Sequence, residues 1–262
     1  MARIEPFLIP VISDLVRGLR EIGVDFCLVG ALVPEILLSV RPPSMTNDVD
    51  VTVVIETLTD FERLKARLAA FGFSGTRLPY RLQHQTGGLL DLLPFSKAIA
   101  PEGRLDLGGD IIFNMTGFDQ VVPNAAPVTI ECDLAVPLPP LPLYVLLKLV
   151  AFSDRKTPKD LAGVLHCLEH YREDDEARYG LDHDGEGVPF EYTCAYLVGF
   201  EGRRFHDERL RETVRVVLDR FGSPDAHVVS LVARENGRFI DDQDRITIFE
   251  LFRWFRLGGV FR

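Results

Sequence analysis

The sequence predicts a mixed α/β (α+β) fold, with a mixed sheet and flanking helices over residues 1–137 and a helical domain over 138–262. Three observations carry this expectation. In the first half, β-branched runs such as D-V-D-V-T-V-V-I alternate with segments of helical period. Pro137, Pro139, Pro140 and Pro142 then form a rigid joint, and beyond it apolar residues recur only at helical spacing. The 262 residues are 47% hydrophobic and 26% charged, an ordinary globular composition that excludes collagen-like, disordered and disulfide-stapled chains.

A first helix is expected from Pro10 to Ile22, with Ser13 able to cap. V-D-F-C-L-V-G reads as a strand ending at Gly30, and A-L-V-P-E-I-L-L-S-V as a helix, because Pro34 is tolerable only in a first turn. D-V-D-V-T-V-V-I is the clearest strand. Thr59 or Asp60 should cap a helix reaching Phe71. Y-R-L-Q-H-Q and L-L-D-L-L-P-F flank T-G-G, which signals a hairpin. Ser96 to Asn124 is glycine-rich and without clear period, so irregular with short strands, and V-T-I-E-C-D is a further strand. After the proline joint come helices L-Y-V-L-L-K-L-V-A-F and P-K-D-L-A-G-V-L-H-C-L-E-H-Y, then an acidic loop over Arg172 to Gly187. Helical patterns near Phe190 to Val198, Glu208 to Phe221, Ala226 to Glu235 and Thr247 to Phe255 finish the chain.

Chemistry concentrates in the carboxylates. Side chains at i and i+2 of a strand share one face, so Asp48 and Asp50 stand side by side. Two carboxylates that close repel, and a hard divalent cation with oxygen ligands resolves the repulsion. Asp91 is the one acid in the apolar run L-L-D-L-L-P-F, where a lone ionised group is expensive, and it becomes the third ligand if that strand lies beside the first. Gly30, at a strand-to-helix turn, offers bare backbone to phosphates. Taken singly, D-x-D also fits a solvated strand face.

A strand ending in Gly, a helix, D-h-D-h on a strand and a later lone Asp together resemble the nucleotidyltransferase superfamily that includes DNA polymerase beta. Downstream, Lys148 is the one charge in an apolar helix, S-D-R and P-K-D-L follow it, and this K, D-R, K-D-L series resembles the AbiEii/AbiGii toxin family over roughly Val24 to Leu168. The resemblance implies a nucleotidyltransferase mixed sheet with metal ligands Asp48, Asp50 and Asp91, Mg²⁺ or Mn²⁺ as cofactor and an NTP as substrate. It implies catalytic work for Lys148, and nucleotide contacts from Gly30, Ala31, Lys148, Arg155, Lys159 and Asp160. It further implies transfer of a nucleoside monophosphate to an RNA (tRNA) or protein hydroxyl, with a separately encoded antitoxin as partner. Ala31 departs from the family's Gly or Ser, which also admits a non-catalytic relative that senses nucleotide or binds a partner.

A rival signal is His166-Cys-Leu-Glu169-His170, which matches the inverted zinc-protease motif H-x-x-E-H. Both histidines fall opposite the apolar stripe of Leu161, Val164, Leu165 and Leu168, so they are expected on a solvated face where their replacement should be harmless. Asp182-His-Asp184 faintly resembles a calcium loop, but Thr193 stands where a bidentate acid is needed, so a solvated loop is expected. The C-terminal F-R-W-F-R-L-G-G-V-F-R fits a stacking platform for single-stranded nucleic acid or, more commonly, an amphipathic helix packed on the core.

With 39 acidic and 29 basic side chains the formal charge is −10, so the surface as a whole repels phosphate backbones and a polyanion must be held locally. Cys27, Cys132, Cys167 and Cys194 form no C-x-x-C pair and read as thiols of a reducing compartment. With no signal peptide or membrane span recognisable, the expected location is the cytoplasm, with no membrane partner.

Overall fold

Helix α1 (Leu8–Ile22) starts two residues before Pro10, because a proline in the first turn lacks only an N–H that has no partner there. The computed structural model describes residues 4–42, 46–173, 176–181, 187–205, 207–237 and 241–261. Two compact units divide the chain: Met1–Leu37 with Ser44–Pro140, and Leu38–Pro43 with Leu141–Arg262.

In the first unit β1 (Phe26–Val29), α2 (Leu32–Leu37) and β2 (Asp48–Val54) follow α1. Helix α3 (Leu58–Leu68) is capped by Thr57, not by Thr59 or Asp60: extended backbone at Thr57 brings its hydroxyl to the Asp60 N–H at 3.1 Å. Strand β3 (Phe73–Gly75) carries no sequence signal, being three residues with Ser and Gly among them. Strands β4 (Arg81–His84) and β5 (Leu89–Phe95) form the expected hairpin. The sheet order is β1-β2-β5-β4-β3, antiparallel except for the parallel pair β2 and β5.

Short strands β6 (Arg104–Asp106) and β7 (Ile112–Asn114) lie in the irregular stretch and cover a small core of Ala100, Leu105 and Met115. Strand β8 (Ala126–Thr129) stops short of Glu131–Asp133, which coil into a 3-10 turn with Asp133 at φ 55°. The proline joint itself pairs as β9 (Ala135–Leu138), with Pro137 opposite Pro127, in a two-stranded ribbon where a missing N–H is tolerated.

The second unit is helical: α4 (Leu141–Arg155), α5 (Pro158–His170), α6 (Ala177–Gly180), α7 (Thr193–Gly202), α8 (Glu208–Leu218), α9 (His227–Glu235) and α10 (Asp242–Gly259). Helices α7 and α10 approach backbone to backbone. A Cβ at Gly199 would stand 2.2 Å from the Phe255 carbonyl oxygen, and one at Gly258 2.2 Å from that of Tyr196. Phe252 and Phe255 of α10 are buried, as is Phe261, and Phe252 stacks on Phe221 at 3.8 Å. Arg253 pairs with Glu250 and Arg256 with Asp219. Phe252, Phe255 and Phe261 are therefore core, which favours the packed helix over a stacking platform, while Trp254 is half-buried with Arg253 over its ring. Among the described residues no helix is long and apolar enough to cross a membrane.

Candidate active site on the sheet

Alternation sorts the sheet into two faces. Val49, Val51, Val53, Leu82, His84 and Leu90 share one of them, and all are buried. His84 Nε2 lies 3.2 Å from Asp14 Oδ2, which places α1 against that side. Asp48 and Asp50 project from the other. In the parallel register Asp50 is the direct partner of Asp91, and partners in adjacent strands share a face. Asp48, Asp50 and Asp91 thus lie on one sheet face, on neighbouring strands.

The turn after β1 is shaped to this face. Gly30 has φ +71°, and a Cβ built on it would stand 1.9 Å from Asp50 Oδ2. Only glycine both adopts that backbone and leaves the room the Asp50 carboxylate takes. Helix α2 behind it has six residues, with Pro34 in its first turn, and Ala31 is half-buried between. Thr46, buried, donates its hydroxyl to Asp48 Oδ1 at 3.0 Å.

A residue that no motif singled out completes the arrangement. Arg81 is the β4 partner of Asp91, so it stands on the same face. Its Nε donates to Asp91 Oδ1 at 2.5 Å and its Nη2 to Asp91 Oδ2 at 2.7 Å, and Nη2 also donates to Asp48 Oδ2 at 3.3 Å. The hydrogen bonds to Asp91 push the guanidinium pKa further up, more than partial burial pulls it down. Among the described residues no three His, Cys, Asp or Glu side chains are gathered as a metal cluster, and Arg81 is ion-paired with both Asp48 and Asp91.

The remaining predicted residues lie in the second unit. Asp160, at the start of α5, is 4% exposed. It accepts from Lys148 Nζ at 3.2 Å and from Arg155 Nη2 at 2.8 and 3.0 Å, while Lys159 is exposed. Lys148 therefore has the anionic partner that an ammonium in an apolar helix needs.

The histidine motif needs correction. His166 is buried, and its Nε2–H donates to the Val40 carbonyl at 3.0 Å, so that nitrogen is not open to zinc. The helix is covered on several sides, so His166, opposite its apolar stripe, is buried and His170 half-buried. His170 Nδ1 lies 3.0 Å from Glu173 Oε2, and the two imidazole rings are 4.7 Å apart. The geometry favours a structural histidine, and the protease reading falls. Burial, partly offset by the Val40 bond, holds His166 below the ordinary 6.5.

The sign of the pH effect follows from that depression. Above 6.5 neither folded nor unfolded chain carries the proton, and as pH falls the unfolded chain takes it first, so stability is lost on the acid side. Urea melts at about pH 8 and about pH 5.5 should show this loss shrink in His166→Asn, which also loses about 1 kcal/mol at the higher pH through the altered hydrogen bond. An acid-side loss unchanged by the substitution would remove His166 as its source.

Cys27, Cys167 and Cys194 are buried free thiols, and burial pushes Cys27 up to about 12, which makes it a poor nucleophile. The side chain of Cys132 lies outside the described residues, as do Asp182, His183 and Asp184 of the acidic loop. Thr193 is buried at the start of α7, where its hydroxyl donates to the Phe190 carbonyl.

The architecture is similar to that of an antigenic nucleotidyltransferase-like protein from Paracoccidioides brasiliensis, with a TM-score of 0.43 and 16% identity over 70% of this chain and 91% of that one. It is also similar to the CdnE cyclic dinucleotide synthase of Elizabethkingia meningoseptica, solved with GTP and Apcpp, with a TM-score of 0.28 and 10% identity over 98% of this chain and 92% of that one. No family model and no curated protein matches the sequence. These likenesses concern the fold, and the residues on the sheet have to speak for the chemistry.

Proposed function

We propose that the chain is a nucleotidyltransferase that moves a nucleoside monophosphate from an NTP to an acceptor hydroxyl with Mg²⁺ or Mn²⁺. The observation that carries this reading is the placement of Asp48, Asp50 and Asp91 on one face of adjacent strands, with Gly30 clearing the space for Asp50. The donor set is hard oxygen throughout, which suits such a cation, and Asp48, Asp50 and Asp91 would hold it. Bound there, it supplies charge neutralisation for the triphosphate and a lowered pKa for the attacking hydroxyl.

The chain's own side chains do the rest. Thr46 fixes one oxygen of Asp48, and in the absence of a cation Arg81 occupies both oxygens of Asp91. Lys148 and Arg155 share one carboxylate, Asp160, which leaves positive charge over for an anion together with Lys159. In this reading the Gly30–Ala31 turn contacts the nucleotide beside the aspartates. With a formal charge of −10, capture of a tRNA acceptor needs such a local patch, and a protein acceptor does not. A toxin restrained by an antitoxin is the biological setting we propose, in the cytoplasm.

One observation favours a second reading. Ala31 puts a methyl group where a hydroxyl would meet phosphate, which suits a non-catalytic nucleotide sensor. Purified protein incubated with each α-labelled NTP, total RNA and cell lysate separates the two. Labelled RNA or protein is expected, falling about a hundredfold or more in Asp48→Asn and Asp91→Asn. Labelling equal in these variants overturns the transferase, and nucleotide binding without any transfer selects the sensor.

A further inference from the structure

Arg81 makes three side-chain hydrogen bonds to the aspartates of the acidic face. Its fork engages both oxygens of Asp91, and its Nη2 reaches on to Asp48, so one guanidinium spans two strands and two of the three aspartates. Forked guanidinium–carboxylate pairs are among the strongest and most directional hydrogen-bonded ion pairs. The Asp91 side chain is 14% exposed and that of Arg81 27%, so water screens the pair incompletely. Under the reading above, a divalent cation would be held by carboxylates of this face. Yet the oxygens such a cation would take from Asp91 are the two that Arg81 already uses.

We propose that Arg81 competes with the divalent cation for Asp91 and Asp48, and that the guanidinium displaced by the cation turns to the anionic substrate. This rests on the reading of the face as a nucleotidyl-transfer site. Strand pairing supports the second half: Arg81 is the backbone partner of Asp91, so the released fork stays over the same face, where phosphates would lie. Arginine suits both tasks because its planar donors match carboxylate and phosphate alike, whereas an ammonium makes a point contact. A purely structural Arg81 would stabilise the hairpin and leave cation affinity unchanged.

The test compares the full chain with Arg81→Ala and Arg81→Lys. Mn²⁺ alone is titrated with free-ion detection by electron paramagnetic resonance, and inorganic tripolyphosphate is then titrated at saturating Mn²⁺, which makes the second result independent of the base. Arg81→Ala is expected to bind Mn²⁺ about tenfold tighter and tripolyphosphate about tenfold more weakly, changes of opposite sign. Arg81→Lys should fall between, having kept the charge and lost the fork. Should Arg81→Ala not fold, as judged by its thermal melt, Arg81→Gln takes its place in both titrations. Unchanged or weaker Mn²⁺ binding in a folded variant overturns the competition, and unchanged tripolyphosphate binding overturns the switch to substrate. Mn²⁺ bound by neither wild type nor variant overturns the acidic-site reading itself, a result distinct from Mn²⁺ bound equally by both.

Discussion

Gly30→Ala is expected to destabilise the protein by about 3 kcal/mol, combining left-handed backbone strain with overpacking, and to displace the Asp50 carboxylate. The backbone at Gly30 has φ +71°, a conformation costly for any residue with a Cβ. The added methyl would stand 1.9 Å from Asp50 Oδ2, 2.6 Å from its Cγ and 2.7 Å from its Cβ. Rotation about χ1 cannot relieve a clash that reaches Cβ, so the turn or the β2 strand must move. Gly23→Ala is the internal control: φ is +77° there, but nothing lies within 4 Å of the added carbon. Thermal melts of the two variants should differ by the steric part alone, and calorimetric Mn²⁺ binding should be lost in Gly30→Ala and kept in Gly23→Ala. Equal melting temperatures would mean that Asp50 is not pressed against Gly30, and Gly30 would then be a turn residue with no part in shaping the acidic face.

Why Gly30 and the aspartates were legible while Arg81 was not is a matter of range. Asp48 and Asp50 follow from a two-residue period, and Asp91 from the cost of a charge in an apolar strand, both local statements. Arg81 matters only through pairing across the hairpin, which a single strand does not reveal. Its signal was nonetheless present. T-G-G marks the turn, and counting back from a three-residue turn at 85–87, which leaves His84 facing Gly88, puts Arg81 opposite Asp91, a cation facing the one acid of its neighbour. The parallel placement of β2 beside β5 is different in kind, since it depends on which elements pack together and no turn chemistry specifies it.

Errors in the helical half have one physical source. The stripe of Leu161, Val164, Leu165 and Leu168 is real, but α5 is covered on several sides, as buried Asp160, His166 and Cys167 show. Amphipathic reasoning assumes that one face meets water, and a helix inside a bundle breaks the assumption. Small residues in α7 and α10 were a usable clue, because Gly199 and Gly258 allow the backbone approach that closes the bundle. The proline joint is extended and precedes a helix, and its first part also pairs as β9, because prolines are compatible with an edge ribbon.

Asp160→Ala should cost about 3–4 kcal/mol, because it removes the acid from a pair of cations instead of one cation from an acid. The Asp160 side chain is 4% exposed, Lys148 21% and Arg155 54%. Once Asp160 is gone, Arg155 can turn to water, but Lys148 stays among apolar side chains of α4 with no carboxylate in reach through this contact. The acid also sits in the first turn of α5, where its charge faces the positive end of the helix dipole. Lys148→Met is the milder change, costing less than about 1 kcal/mol, because Arg155 still donates twice to Asp160 and the methionine keeps the packing of the stem. The double variant should cost less than the two single losses combined, since it removes the stranded ammonium along with its partner. Denaturant melts of the three variants measure this cycle. If Lys148→Met proves as damaging as Asp160→Ala, Arg155 does not hold the carboxylate. If Lys148→Met melts like wild type but loses tripolyphosphate binding, the ammonium serves an anion as well as Asp160, whereas unchanged binding with a lowered melting temperature assigns Lys148 to architecture and leaves the chemistry to the acidic face alone.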